Sequence, residues 1–121
     1  MRQFYLDNTK AAISFMRNVP PQEVNLSNWC GSCACLGGWL TRSLYFQKLG
    51  LRDTNGMPHM PDPENPGKLV GGVTLGATLF NDRTMFESRL DHERGGDYLE
   101  LNDYEVAMLR LTKRLATLEA K

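Results

Sequence analysis

The sequence predicts a mainly α-helical domain of three to four helices with one long Pro/Gly-rich loop and room for one short β element. Three observations predict this class. Apolar residues recur at helical spacing in several stretches. A chain of 121 residues can bury a core without disulfides or metal. Its 41% hydrophobic and 23% charged residues are typical of globular proteins, so residues 1–121 are expected to form a single domain.

The first predicted helix begins at a cap formed by Asp7 or Asn8 and runs to about Asn18. Pro20 and Pro21 end it, because a proline disfavours helical geometry in the preceding residue and has no amide donor. Its apolar face would consist of Ala12, Phe15, Met16 and Val19.

A second helix is predicted over residues 33–48, because Leu36, Leu40 and Leu44 recur at every fourth position. The adjacent glycines at 37 and 38 indicate that another backbone or ring packs closely there. Gly50 provides the C-terminal stop of this helix.

Residues 50–72 contain nine glycines and prolines and are predicted to be a long surface loop, with a short strand over 68–70 as an option. A short helix is expected over 75–80, followed by a turn over 81–83.

The last helix is the clearest element. Asn102 and Glu105 resemble a capping box. One side of the helix carries a narrow apolar seam, which could pack against the core of the same chain or against a second copy in a homodimer. Its residues are Tyr104, Met108, Leu111, Leu115 and Leu118.

The stretch 29–39, W-C-G-S-C-A-C-L-G-G-W, contains all three cysteines and both tryptophans of the chain. One interpretation is a zinc site, in which Cys30, Cys33 and Cys35 bind with His59, or His92, as the fourth ligand. A structural zinc needs four ligands, and the sequence has no second C-x-x-C pair. A thioredoxin-like redox pair is disfavoured because no strand is evident before residue 29.

Another interpretation is thiol catalysis by Cys33 or Cys30 with His59 as base. The run C-G-S-C-A resembles the nucleophile block of papain-like cysteine proteases. Ala34 replaces that family's aromatic residue, and the chain ends before that family's histidine and asparagine would occur. The favoured interpretation is structural, since buried cysteines pack as small apolar groups between two tryptophans and a leucine stripe.

The residues from Cys30 to Trp39 also resemble a C-G-[ST]-x-x-C-[IL]-[AG]-G-W block of small uncharacterised phage and bacterial proteins. Cys30 and Cys35 match the pattern, and Cys33 falls at a variable position. The resemblance implies a small protein encoded by a phage or prophage, and it carries no activity with it.

The formal net charge is zero, which argues against a dedicated nucleic-acid binder. The N-terminus lacks the apolar run of a signal peptide and no segment is long enough to span a bilayer, so a cytoplasmic protein without membrane contact is expected. Residues 82–105 carry eight acidic and three basic side chains, which would suit a basic partner surface.

These features favour a non-enzymatic protein–protein interaction module, phage- or prophage-encoded, that modulates or inhibits a host protein; an anti-defence inhibitor would be one instance. The sequence has no complete catalytic constellation, and no cofactor is expected. The alternative is a thiol- or zinc-dependent protein that uses the cysteine cluster. The predicted partner-binding residues are Met57, His59 and Met60 in the long loop and Asp91, Glu93, Asp97 and Glu100 in the acidic segment.

Overall fold

A computed structural model describes residues 1–27, 35–54 and 57–120, which form an α+β fold. The helices are α1 (Arg2–Met16), α2 (Leu36–Leu40), α3 (Leu44–Lys48), α4 (Val73–Phe80) and α5 (Asp103–Glu119). The strands are β1 (Arg52–Thr54), β2 (Met57–Asp62) and β3 (Asn65–Gly71). Short 3₁₀ turns lie at Pro21–Glu23, Asp91–Glu93 and Gly96–Tyr98.

The prediction of a mainly α fold with residues 50–72 as a loop is wrong, because most of this segment forms a three-stranded antiparallel sheet in the order β1-β2-β3. The short strand expected over 68–70 is part of the longer β3. The sheet is anchored on one side, where α2 and α4 pack against β2. Met60 of β2 is buried in the core there.

The central strand β2 contains two of the prolines, Pro58 and Pro61, on which the prediction of a loop depended. Pro58 is paired with Asp53 of β1 and with no residue of β3, because the pairing of β2 with β3 begins at His59. Pro61 is paired with Leu69 of β3, and β1 does not reach it. A proline is tolerated in a strand where its missing N–H faces a side without a partner. Each proline of β2 has such a side.

The core lies where α1 packs against α4 and α5. Phe80 of α4 is central to it, because its ring centroid lies 6.2 Å from that of Phe46 and 5.7 Å from that of Phe86. The apolar seam of α5 belongs to this core: Leu111 is fully buried in it, and Tyr104, Met108 and Leu115 pack against it. The apolar seam of α5, which the sequence analysis assigned either to the core or to a homodimer interface, therefore packs within the chain.

The first helix begins at Arg2, so the prediction that Asp7 or Asn8 caps it is wrong. Asn8 is fully buried within α1 instead. Its Nδ2 donates to the carbonyl of Leu79 at 2.9 Å, and its Oδ1 accepts from the hydroxyl of Tyr45 at 2.7 Å. The side chain therefore joins α1 to α3 and α4, and no cap is needed at this position.

The single helix predicted over residues 33–48 is also wrong for its described part, which is divided into α2 and α3. Side chains satisfy carbonyls at the break between the two helices. The Thr41 hydroxyl donates to the carbonyl of Gly38 at 2.5 Å, and Gln47 Nε2 donates to the carbonyl of Thr41 at 3.0 Å. The stop at Gly50 is confirmed by its φ of 100°, a conformation that favours glycine.

The two C-terminal helices agree with the prediction. The expected short helix is α4, and the capping box of α5 is formed in both directions. Asn102 Oδ1 accepts from the amide of Glu105 at 2.8 Å, and Glu105 Oε1 accepts from the amide of Asn102 at 3.0 Å. Among the described residues, no helix is long and apolar enough to cross a membrane.

Candidate protein-interaction surface

The side chains of β2 alternate between the core and solvent, as strand geometry requires. Pro58 and Met60 are buried, whereas Met57 is 55% exposed and His59 is partly exposed. Met57 and His59, both predicted to contact a partner, are thus accessible. Met60 was predicted to do the same, but it is 1% exposed and is a core residue in this fold.

The pairing register defines which residues share the exposed side of the sheet, because directly opposite residues point to the same face. Leu69 lies opposite Pro61, and at 66% exposure it is more exposed than Met57. We call this side the outer sheet face. Its residues are Arg52, Thr54, Met57, His59, Pro61, Leu69 and Gly71.

His59 occupies the middle of the outer sheet face, between Arg52 of β1 and Gly71 of β3. Its Nε2 lies 2.5 Å from the hydroxyl oxygen of Thr54. Its Nδ1 is buried and has no hydrogen-bond partner among the described residues. A buried N–H without an acceptor is costly. The favoured tautomer therefore has Nε2–H donating to Thr54, which holds the ring in one orientation.

The described part of the cysteine stretch is packed inside the protein. Cys35 is buried at the N-cap of α2, where its Sγ accepts from the amide of Gly38 at 3.4 Å. Trp39 Nε1 donates to the carbonyl of Glu23 at 3.1 Å, and the guanidinium of Arg42 lies 4.2 Å from the Trp39 ring centroid. These contacts give Cys35 and Trp39 structural roles.

The zinc and thiol interpretations depend mainly on Cys30 and Cys33, which lie outside the described residues. His59, their predicted partner, hydrogen-bonds Thr54 on the outer sheet face. His92 is exposed, and its ring contacts that of Tyr98 edge-on at 5.6 Å. Within the ranges 1–27, 35–54 and 57–120, no group of three or more His, Cys, Asp or Glu side chains could hold a metal ion.

The acidic segment contains one residue whose role the sequence did not reveal. Glu93, predicted to bind a partner, is 3% exposed and forms a buried ion pair with Arg110, with Oε1 and Nη2 2.5 Å apart. Burial by itself would raise the pKa of Glu93. Hydrogen bonds from Arg110 and from the Leu90 amide outweigh this effect, so the pKa lies below its usual value. Glu93 is therefore a structural residue that a partner cannot reach in this fold.

The other acidic residues predicted to bind a partner, Asp91, Asp97 and Glu100, are exposed. They lie on the segment between α4 and α5, in which the described regular structure is limited to short 3₁₀ turns.

Arginine side chains stabilise this segment. They donate hydrogen bonds to backbone carbonyls that in a helix or sheet would accept from backbone amides. Arg89 Nε also binds Asp103 Oδ1 at 2.8 Å, and its terminal nitrogens donate to the carbonyls of Glu93, Tyr98 and Leu101.

Neither a family model, nor a curated protein, nor a solved structure matches this chain.

Proposed function

We propose that the protein is a non-enzymatic protein–protein interaction module that binds its partner through the outer sheet face. The observation that carries this proposal is the exposure of two large apolar side chains, Met57 and Leu69, on either side of His59. Binding is favourable when a partner covers apolar surface, because the removal of that surface from water lowers the free energy. Methionine and arginine are both enriched in interfaces, and Arg52 is the charged residue of this face.

The outer sheet face is suited to binding because the protein holds it in shape before a partner arrives. Pro58 and Met60 anchor the opposite side of β2 in the interior. The hydrogen bond between Thr54 and His59 links β1 to β2 on the face itself. A preformed surface loses less conformational entropy on association, so more of the interaction free energy remains for affinity.

The proposed partner is a protein of a bacterial host, encountered in its cytoplasm. This part of the proposal is supported by the resemblance of the residues from Cys30 to Trp39 to small phage and bacterial proteins. A phage- or prophage-encoded protein without a catalytic constellation would act by occupying a surface of a host protein. An inhibitor of a defence protein would be one instance.

The test is capture from a bacterial lysate by the tagged protein, compared between variants. Met57→Lys and Leu69→Lys place charges on the outer sheet face, and Leu44→Lys is the matched control because Leu44 is 74% exposed on α3, outside both the sheet and the acidic segment. We expect the wild type and the control to retain one host protein in stoichiometric amount and the two sheet variants to lose it. If all variants capture the protein equally and their circular dichroism is unchanged, the proposal that the outer sheet face binds the partner is wrong.

The exposed acidic residues provide the competing contact surface. Asp91→Asn, Asp97→Asn and Glu100→Gln remove their charges without changing their shapes. If these variants lose the captured protein while Met57→Lys and Leu69→Lys retain it, the acidic segment is the binding surface and the outer sheet face is not.

The proposal requires no cofactor, and zinc content provides a direct check on the alternative function. Native mass spectrometry of the purified protein should give the mass of the chain alone. One zinc ion per chain that disappears in the variants Cys30→Ser, Cys33→Ser and Cys35→Ser would replace the interaction proposal with a metal-dependent one.

A further inference from the structure

A second site lies away from the outer sheet face, in a cavity of about 200 Å³ between α5 and the segment that precedes it. Lys113, Arg114 and Thr117 line it from α5, and Thr84, His92 and Tyr98 line it from the opposite side. None of these residues belongs to the outer sheet face. An inference about this cavity is therefore independent of the proposed function.

The inner wall of the cavity carries no net charge. Arg110 and Glu93 both line it, but they neutralise each other in the buried ion pair. Asp82 is the other acid at the cavity, and its Oδ1 accepts from the amide and the hydroxyl of Thr84 at 3.0 and 2.7 Å. The cations that remain are Lys113 and Arg114, so the aspartate, glutamate, lysine and arginine side chains that line the cavity sum to one positive charge.

The donors at the mouth of the cavity are held in place. Lys113 Nζ donates to the Tyr98 hydroxyl at 2.7 Å, which leaves the ammonium two further hydrogens. Having accepted this bond, Tyr98 can still donate its own hydroxyl hydrogen. Arg114 is held by bonds from Nε and Nη2 to the carbonyls of Phe80 and Asn81, both at 2.9 Å.

Lys113 is charged at neutral pH. Its hydrogen bond to Tyr98 raises the pKa of Lys113 above its usual value, and the negative charge of Glu93 adds to this effect. The ammonium therefore remains available to an anion.

We propose that this cavity binds a small phosphate-type oxyanion, held by Lys113, Arg114 and the hydroxyl of Tyr98. Ammonium, guanidinium and hydroxyl groups are the donors that phosphate oxygens accept from in proteins. Pockets for drug-sized ligands measure about 300–1,000 Å³, so this smaller cavity is suited to a single phosphate group.

The experiment is a titration of the full chain with inorganic phosphate at neutral pH, with sodium chloride adjusted to keep the ionic strength constant. Binding is followed by isothermal titration calorimetry and by amide chemical shifts. Lys113→Met removes one charged donor, and we expect a roughly ten- to hundredfold weaker Kd, the equivalent of a charge-assisted hydrogen bond. Lys10→Met is the matched control, because Lys10 is exposed on α1, and it should bind like the wild type.

Tyr98→Phe gives a second measurement on a variant that retains the ring against His92. We expect it to weaken phosphate binding about two- to tenfold, the range for a neutral hydrogen bond. The inference is overturned if the wild type shows no saturable phosphate binding. It is equally overturned if Lys113→Met binds phosphate as tightly as the wild type does, since the anion would then bind elsewhere. The same holds if Lys10→Met weakens binding as much as Lys113→Met, since the effect would then be one of overall charge.

Discussion

Replacing Arg110 tests whether its side chain organises the segment between α4 and α5. The guanidinium donates to both carboxylate oxygens of Glu93, from Nε at 3.0 Å and from Nη2 at 2.5 Å. It also donates to four backbone carbonyls, at distances of 2.6 to 3.3 Å. These carbonyls belong to Thr84, Met85, Glu87 and Ser88.

The substitution Arg110→Met keeps the length and apolar stem of the side chain and removes all of these donors. Arg110 and Glu93 have side-chain exposures of 6% and 3%, so the carboxylate would be left buried without its cation. Breaking a buried pair in this way costs roughly 3–5 kcal/mol. A small domain has about 5–15 kcal/mol of total stability. The loss should therefore be a large fraction of the free energy of unfolding.

The partner substitution Glu93→Gln should be milder. The amide retains the shape of the carboxylate and can still accept from the Leu90 amide, which is 2.9 Å from Glu93 Oε1. Arg110 would keep its backbone carbonyl acceptors. We expect a loss of roughly 1–3 kcal/mol, the usual cost of weakening one buried polar interaction.

The pH dependence of Glu93→Gln supplies an independent check. The folded-state pKa of Glu93 lies below the usual value of 4.5, so the unfolded chain binds this proton more readily. The contribution of Glu93 to stability is complete above pH 4.5 and is lost as the pH falls through the folded-state value. The difference between the wild type and Glu93→Gln should be constant between about pH 6 and 8 and shrink below pH 4.5.

Urea unfolding, followed by far-UV circular dichroism and tryptophan fluorescence, measures these free energies. Arg83→Met is the control, because Arg83 is an exposed arginine of the same segment, and it should change stability by less than about 0.5 kcal/mol. If Arg110→Met costs less than about 1 kcal/mol, or no more than Arg83→Met, the structural role assigned to Arg110 is wrong.

Three further substitutions test the packing. Gly76→Ala should lower the free energy of unfolding in urea by roughly 1–3 kcal/mol, because the added Cβ would collide with the carbonyl oxygen of Asp82. Gly95→Ala is the control, since a Cβ at Gly95 meets nothing within 4 Å. Equal effects of the two substitutions would contradict this reasoning. Asn8→Ala should cost roughly 1–3 kcal/mol, since a buried carbonyl of α4 and a tyrosine hydroxyl lose their partner; a neutral result would exclude this role. Asn102→Ala should cost about 1 kcal/mol through loss of the α5 cap, and an unchanged unfolding midpoint would show that the cap contributes nothing.

The two C-terminal helices were predictable because the signals for them are local. The capping box between Asn102 and Glu105 spans three residues, and the seam of α5 repeats within the same helix. Asn8 shows the limit of local signals. It resembles a cap in sequence, but its side chain is satisfied by Leu79 and Tyr45, which are distant along the chain.

The sheet was missed because the effect of a proline depends on neighbours that sequence does not reveal. Pro58 and Pro61 would disrupt a strand paired along both of its edges. They fit in β2 because β1 and β3 overlap only at His59. Where a neighbouring strand ends is set by the register of non-local pairs.

The candidate surface was partly predictable. Met57 and His59 were selected as residues of an adaptable loop, and they are accessible on a sheet instead. Met60 was selected with them and lies in the core, because alternate side chains of a strand point to opposite faces. Leu69 was not selected, although its spacing in β3 would have indicated its face if the strand had been recognised.

Features whose physical causes act within a few residues were predictable without the fold: the α4 and α5 helices, the capping box and the stop at Gly50. Tertiary structure alone decided where the sheet pairs, which side of it remains exposed and which charges are buried. Glu93 is the clearest case. An isolated carboxylate belongs in water, and Glu93 is stable in the interior because Arg110, 17 residues along the chain, donates to both of its oxygens.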